Sequence, residues 1–196
     1  MRNHYDLILV GGGIANISLA LRLIDSDVSI LLLESGKDIY KRSCPKDKLG
    51  KCINCNPCNI TAGFSGAGCF SDCKLTYSPE VGGSLVDYIG KDNFDRLLSE
   101  ADKMFLTYGA KTEKTSGGDY ADKLAYECMK YGMKLIKGDV RHLGTDGSYK
   151  VMSNIRDALA KSANIDIKCS CEVLDIDFKT RELLLVIKIT LMINCL

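Results

Sequence analysis

A chain of 196 residues can bury one sizeable core, or one and a half. Its 26 basic and 25 acidic side chains nearly cancel, so no global field draws it to nucleic acid or to an anionic membrane, and neither is expected as a partner. With 46% apolar residues, no Trp and only three Pro, the composition is ordinary for a globular protein. Met1 to Asp6 carries no signal-peptide pattern, because the first apolar run is short and leads straight into glycines, so a cytoplasmic location is expected.

Leu7 to Val10 is short, β-rich and uncharged, which predicts a strand buried on both faces. Gly11-Gly12-Gly13 follows at once. Ile14, Ile17, Leu21 and Ile24 then recur at helical spacing until Asp25-Ser26-Asp27 breaks the pattern. Val28 to Leu33 reads as a second buried strand with Glu34 at its end. Strand, glycine turn, helix, strand and acid stand in the order of a dinucleotide-binding βαβ unit. Gly11 permits the tight turn, and Gly13 lets backbone approach a pyrophosphate without a Cβ in the way. The N–H groups of the helix opening at Ile14 and Ala15, with its dipole, hold the phosphate charge. Glu34, about 20 residues past the glycines, can accept from both hydroxyls of the adenosine ribose and would repel a 2′-phosphate, which disfavours NADP. Asn16 stands where the third glycine of G-x-G-x-x-G belongs. That glycine serves helix-to-strand packing, so Asn16 is expected to loosen packing more than it harms binding.

From Lys37 to Pro79 the periodicity fails, and a loop this long in a compact domain points to function or disorder. Asp92 caps a predicted helix whose apolar face runs from Phe94 to Tyr108, stopped by Gly109. Residues 111–118 are polar and predict a loop, and Asp119 opens a shorter helix that ends at Gly132. Leu135 to Leu143 is a candidate strand, followed by a turn at Gly144-Thr145-Asp146-Gly147. Ser148 is placed as the cap of a helix with Val151, Ile155 and Leu159 inward. Ile165, Ile167, Cys169, Cys171 and Val173 alternate as a half-buried strand does; the alternation shifts at Leu174 and resumes on Ile176 and Phe178, as through a bulge. This helix and strand are expected to extend the first parallel sheet. The tail, Leu183 to Leu196, is almost wholly apolar yet too short for a membrane span, and its plain reading is a final strand.

Ten cysteines are many for a chain of this size, and six lie between Cys44 and Cys73. In a reducing compartment they point to metal or redox chemistry before disulfides. Cys52, Cys55 and Cys58 put three thiols on one tight loop, with Cys44-Pro45 just upstream, which is the spacing of an iron–sulfur site; zinc accepts the same four sulfurs. A redox dithiol and plain free thiols are the competing readings. Gly66 and Gly68 lie in a second glycine-rich segment, 63–68, which can press backbone against a flat or anionic ligand or simply be flexible.

These residues carry a resemblance. Tyr5 to Gly13 with Leu31-Leu32-Leu33-Glu34 resembles the N-terminus of a two-dinucleotide-binding flavoprotein of the glutathione-reductase type. Arg42-Ser43-Cys44-Pro45, the cysteine triplet, Gly63 to Gly68, Phe70 to Asp72 through Lys74-Leu75, and His142 to Asp146 resemble uncharacterised bacterial FAD-dependent dehydrogenases. The resemblance covers about residues 4–178. It implies an α/β class, a Rossmann-like FAD-binding parallel sheet with a Cys/Gly-rich insertion and a small helical region. The organisation it implies is a first βαβ unit over 1–40, the insertion over 41–83, a mainly helical region over 84–147, returning FAD-domain elements over 148–180 and an atypical tail over 181–196. It also implies FAD as cofactor, with Gly11, Gly13 and the amides of Ile14 and Ala15 on the pyrophosphate and Glu34 on the ribose. The strand around Val173 then offers backbone to the adenine, and the Gly66–Ser71 loop approaches the isoalloxazine. Cys69 and Cys73 stand where small residues are usual. Members of this group run longer and close the flavin site with a late glycine–aspartate segment, so the chain is expected to be a truncated product, incomplete beside them.

The functional expectation is an FAD-dependent oxidoreductase acting on an unknown small molecule. A metal-binding electron carrier and an inactive fragment are the alternatives. No catalytic residue is assigned; His142, Asp72 and Lys74 are weak candidates for acid–base work.

Overall fold

The computed structural model describes residue 2 and residues 4–177, 179 and 182–187. In chain order its elements are β1 (Leu7–Val10), α1 (Ile14–Arg22), β2 (Ile30–Glu34), α2 (Lys46–Leu49), β3 (Lys74–Tyr77), α3 (Leu85–Ile89), α4 (Lys91–Thr107), α5 (Gly118–Lys130), β4 (Asp139–His142), α6 (Gly144–Lys161), β5 (Ile165–Cys169), β6 (Cys171–Asp177) and β7 (Glu182–Ile187). Single 3-10 turns stand at Ile39–Lys41 and Gly68–Phe70. The chain divides into two compact units, Met1–Phe70 with Met152–Leu196, and Ser71–Val151.

The first unit is built on a parallel sheet in the order β1-β2-β5. β1 and β2 pair from Leu7↔Ile30 to Val10↔Leu33, and β2 and β5 from Ile30↔Ile165 to Glu34↔Cys169. β2 is the central strand, and all five of its residues are buried. α1 buries Ile17 and Ala20, while Ile14 of its predicted apolar face is 43% exposed, and α6 buries Val151, Ile155 and Leu159 at the predicted spacing. Each of the Ile, Val and Leu side chains removed from water contributes about 1.5–3 kcal/mol. β1 departs from the expectation of burial on both faces: Ile8 and Val10 are 36% and 47% exposed. Ile8 and Val10 stand two apart on one face of the strand, which is open, while Leu9 on the other face is 5% exposed, and an apolar run does not report which face is covered.

The strand expected over 165–178 is two strands. The chain breaks at Ser170, whose φ is +54°, and its N–H donates to Gly36 O at 2.6 Å. β6 then pairs antiparallel with β7 in a separate sheet, with the register shift between Val173 and Asp175 where the alternation predicts it. β7 is the described part of the expected final strand; Phe178 and residues 188–196 lie outside the described residues.

In the second unit β3 and β4 pair antiparallel, Lys74 opposite His142 and Tyr77 opposite Asp139. β3 was hidden in the irregular segment, and only its partner makes it a strand. Arg141, 2% exposed, is the hub: Nη2 reaches Asp102 Oδ1 and Oδ2 at 2.8 and 2.9 Å, and Tyr77 and Lys114 bind the same carboxylate. α6 starts at Gly144, four residues before the predicted cap. The turn signal at 144–147 is its first turn, where Asp146 suits the positive helix end, and Ser148 is buried within it.

Candidate functional site

The corner between β1 and α1 is assembled by backbone. Gly11 takes φ +100°, a left-handed conformation that side chains resist, and its N–H donates to Leu33 O at 2.7 Å. At Gly12 a Cβ would stand 3.1 Å from Glu34 Oε2, a tight contact that would press on the Glu34 side chain. Gly13 is different. Its backbone is extended (φ −79°, ψ 169°), open to any residue, and a Cβ there would meet nothing within 4 Å. It is the N-cap of α1, where Ser or Asp would satisfy a free N–H, yet the helix has no side-chain cap and opens on exposed Ile14 and Ala15. The result is a bare, positive helix end over open space.

Asn16 does not loosen this corner. Its Nδ2 donates to Val10 O and Gly11 O, both at 2.9 Å, and ties the strand end to the turn. A missing glycine is replaced here by a polar clamp.

Glu34 points at the glycines and is 7% exposed. Oε2 accepts from Gly12 N at 2.7 Å, and Oε1 accepts from Gly36 N at 2.7 Å and Gly63 N at 3.0 Å. Three of about four acceptor positions of the carboxylate are therefore filled by the protein's own amides. The expected role on both ribose hydroxyls would need two acceptor positions, and the amides leave about one.

The second glycine segment lies against the first. Ser65 N donates to Gly12 O at 2.8 Å, and a Cβ on Gly66 (φ +66°) would stand 3.8 Å from Gly13 Cα. Gly36 and Gly63 are in closer contact still: a Cβ at Gly36 would fall 2.4 Å from Gly63 N. The structure thus brings Gly11, Gly13, Ile14, Ala15, Glu34 and Gly66 to one corner. Gly68 opens the following 3-10 turn, and Val173 stands in β6, paired with Leu185 and packed on Leu31, Leu33 and Cys171. Arg42 and Ser65 join the corner without any signal in residue spacing, because their role is set by backbone carbonyls and amides that spacing does not report.

A cleft of about 250 Å³ opens past Glu34, beside the carboxyl ends of β2 and β5. Its walls are Ser35, Gly36, Lys37 and Ser170 on one side and Pro45, Cys55, Asn56, Pro57 and Asn59 on the other.

The four-thiolate site does not assemble. Among the described residues no three His, Cys, Asp or Glu side chains are gathered as a metal ion requires, and Cys44, Cys52, Cys55 and Cys58 are free thiols. The sulfurs are used locally: Asn54 N donates to Cys52 Sγ at 3.4 Å, Cys55 lines the cleft, and Ile60 and Thr61 N–H groups bind Cys58. Close spacing in sequence has not become convergence in space, so neither iron–sulfur nor zinc is carried further. Those N–H groups, with Arg42, hold the exposed Cys58 thiol below its ordinary range. Cys169 is pushed up to about 12 by burial and then by Asp38 and Glu34. Cys69 is buried, and Cys73 takes φ +42° just before β3.

The weak acid–base candidates fall in the second unit. His142 Nε2 lies 3.8 Å and Lys74 Nζ 3.1 Å from Asp72, with all three side chains more than half exposed. Lys74, by its hydrogen bond, and then His142 hold Asp72 below the ordinary carboxylate range. Among the described residues no helix is long and apolar enough to cross a membrane.

No family model matches the chain, and no match was found among curated proteins. Among solved structures it is similar to L-amino acid deaminase from Proteus myxofaciens, solved in complex with anthranilate, at 14% identity and a TM-score of 0.32, over 90% of this chain and 40% of that one. It is also similar to NikD, an unusual amino acid oxidase essential for nikkomycin biosynthesis, at 13% identity and 0.37, over 86% and 44%. L-amino acid deaminase from Proteus vulgaris gives 12% and 0.31, over 90% and 42%. The chain spans less than half the length of each, and the scores are too low to carry an argument.

Proposed function

We propose that the first unit binds FAD and belongs to an oxidoreductase acting on a small molecule. Gly13 carries this reading. Position 11 favours glycine for its torsion and position 12 for its tight approach to Glu34, but at 13 neither torsion nor space demands one. A ligand backed against that bare surface does demand it, because a Cβ or a capping oxygen would occupy the place of a phosphate oxygen. In this reading the amides of Gly13, Ile14 and Ala15 face the diphosphate. Glu34 accepts from one ribose hydroxyl, and the cleft past it, at the carboxyl ends of β2 and β5, takes the base. FAD is placed ahead of NAD by the resemblance of segment 63–75 to FAD-dependent dehydrogenases. When bound, the flavin supplies hydride or electron transfer; the protein supplies binding and orientation.

Gly13→Ala tests it. Urea unfolding should stay within about 0.5 kcal/mol of the parent. FAD affinity, read from flavin fluorescence, should fall at least about tenfold, or about 1.4 kcal/mol. A parent chain that binds no FAD, or a variant that binds it equally well, overturns the reading.

A further inference from the structure

Arg42 donates five side-chain hydrogen bonds, and among the described residues no carboxylate is in ion-pair contact with it, Glu34 acting only from a distance. It is 6% exposed. Nε donates to Asn59 O at 2.9 Å, Nη2 to Ile60 O at 2.6 Å, and Nη1 to Phe64 O at 2.9 Å and Gly66 O at 2.7 Å. The Phe70 ring covers its face with the centroid 4.1 Å away. Gly63 makes room for it: a Cβ there would stand 2.6 Å from Arg42 Cδ. A cation buried this way costs desolvation, which holds its guanidinium below the ordinary arginine range. Neutral carbonyls offset that cost less well than a carboxylate, so the arrangement is an expensive means of only filling a core.

What it accomplishes is orientation. A trans peptide directs its C=O and N–H to opposite sides. With Phe64 O held by Arg42, the following N–H, that of Ser65, points away and donates to Gly12 O at 2.8 Å. With Gly66 O held by the same guanidinium, the N–H of exposed Ala67 is turned away likewise, and it has no partner among the described residues. Gly66 itself lies against Gly13.

We propose that Arg42 is a positioning residue of the dinucleotide site, holding the 64–67 strip so that the Ala67 amide donates to the ligand's diphosphate from the side opposite the α1 helix end. This rests on the reading of the corner as an FAD site. The Gly13–Ala15 turn serves the adenosine half, and the strip adds a donor for the phosphate on the flavin side. Arg42 thereby links a loop with no regular structure to the chemistry at the glycine corner.

The test compares FAD with AMP, which lacks the flavin-side phosphate, on the parent chain, Arg42→Lys and Ala67→Pro. Lysine keeps the charge but cannot span carbonyls at both ends of the strip; proline deletes the Ala67 N–H and leaves Arg42 in place. Both variants should weaken FAD at least about tenfold and AMP less than about twofold. A purely structural Arg42 would weaken both ligands alike, and that result, or unchanged FAD binding by Ala67→Pro, overturns the proposal. Should Arg42→Lys not fold, Ala67→Pro decides alone. Failure of the parent to bind either ligand removes the FAD reading itself, and this inference with it.

Discussion

Glu34→Gln is the most informative single substitution, because Glu34 joins three segments of chain. Its carboxylate accepts from the amides of Gly12, Gly36 and Gly63, at 2.7, 2.7 and 3.0 Å. Glutamine has nearly the same shape but only one acceptor oxygen. Its better orientation keeps that oxygen on Gly36 and Gly63 and sets its NH₂ against the Gly12 N–H. One charge-assisted bond is then lost, about 1.5–3 kcal/mol including the donor left facing a donor, and two others fall from charged to neutral at roughly 0.5–1 kcal/mol each. The sum is about 2.5–5 kcal/mol, a large share of the roughly 5–15 kcal/mol by which a domain is stable. Urea unfolding measures it, and amide exchange localises it: Gly12, Gly36 and Gly63 should lose protection together. Ser35→Ala is the control, since its hydroxyl is only 3.4 Å from the same carboxylate. A loss under about 1 kcal/mol in Glu34→Gln, or faster exchange at Gly12 alone, would refute the view that this carboxylate is a structural hub first.

In the second unit, Asp102→Asn strands the buried Arg141 and should cost about 3–5 kcal/mol at pH 7. Burial by itself raises the Asp102 carboxyl, but hydrogen bonds from Tyr77, Lys114 and Arg141 outweigh it and hold the group below the ordinary carboxylate range. Its contribution is therefore complete at neutral pH and disappears as pH falls through that lowered value, so the two urea midpoints should converge once the pH has dropped below the ordinary carboxylate range. A constant gap across that range contradicts the assignment. Iodoacetamide should modify the exposed Cys58 well ahead of Cys169 and at lower pH, as mass spectrometry of a time course would show. Equal rates at Cys58 and Cys169 would dismiss the role given to the Ile60 and Thr61 amides.

Where each side chain serves its own segment, the sequence was readable. Ile17 on α1, Val151, Ile155 and Leu159 on α6, and the run Ile30–Leu33 are buried as their spacing predicts, whereas Ile14 of the same α1 pattern is 43% exposed. The register shift at Leu174 followed from broken alternation. Boundaries were less legible, as Ser148 shows, because a Gly–Asp turn and a first helical turn use the same residues. The cysteine loop misled for a clearer reason: thiol spacing fixes how far sulfurs are apart along the chain, while side-chain direction decides whether they converge.

The strand–glycine–helix–strand–acid order of residues 7–34 follows from short-range physics, namely hydrophobic period, left-handed torsion at Gly11 and a polar stop before β2. Those are properties a segment has before it meets any other. Three matters waited for distant partners: that Glu34 is nearly saturated by amides from positions 12, 36 and 63, that Arg42 gathers the carbonyls of 59–66, and that β1 lies at a sheet edge. Backbone donors and acceptors are the same at every residue, so only the folded chain could say which of them a carboxylate or guanidinium would find.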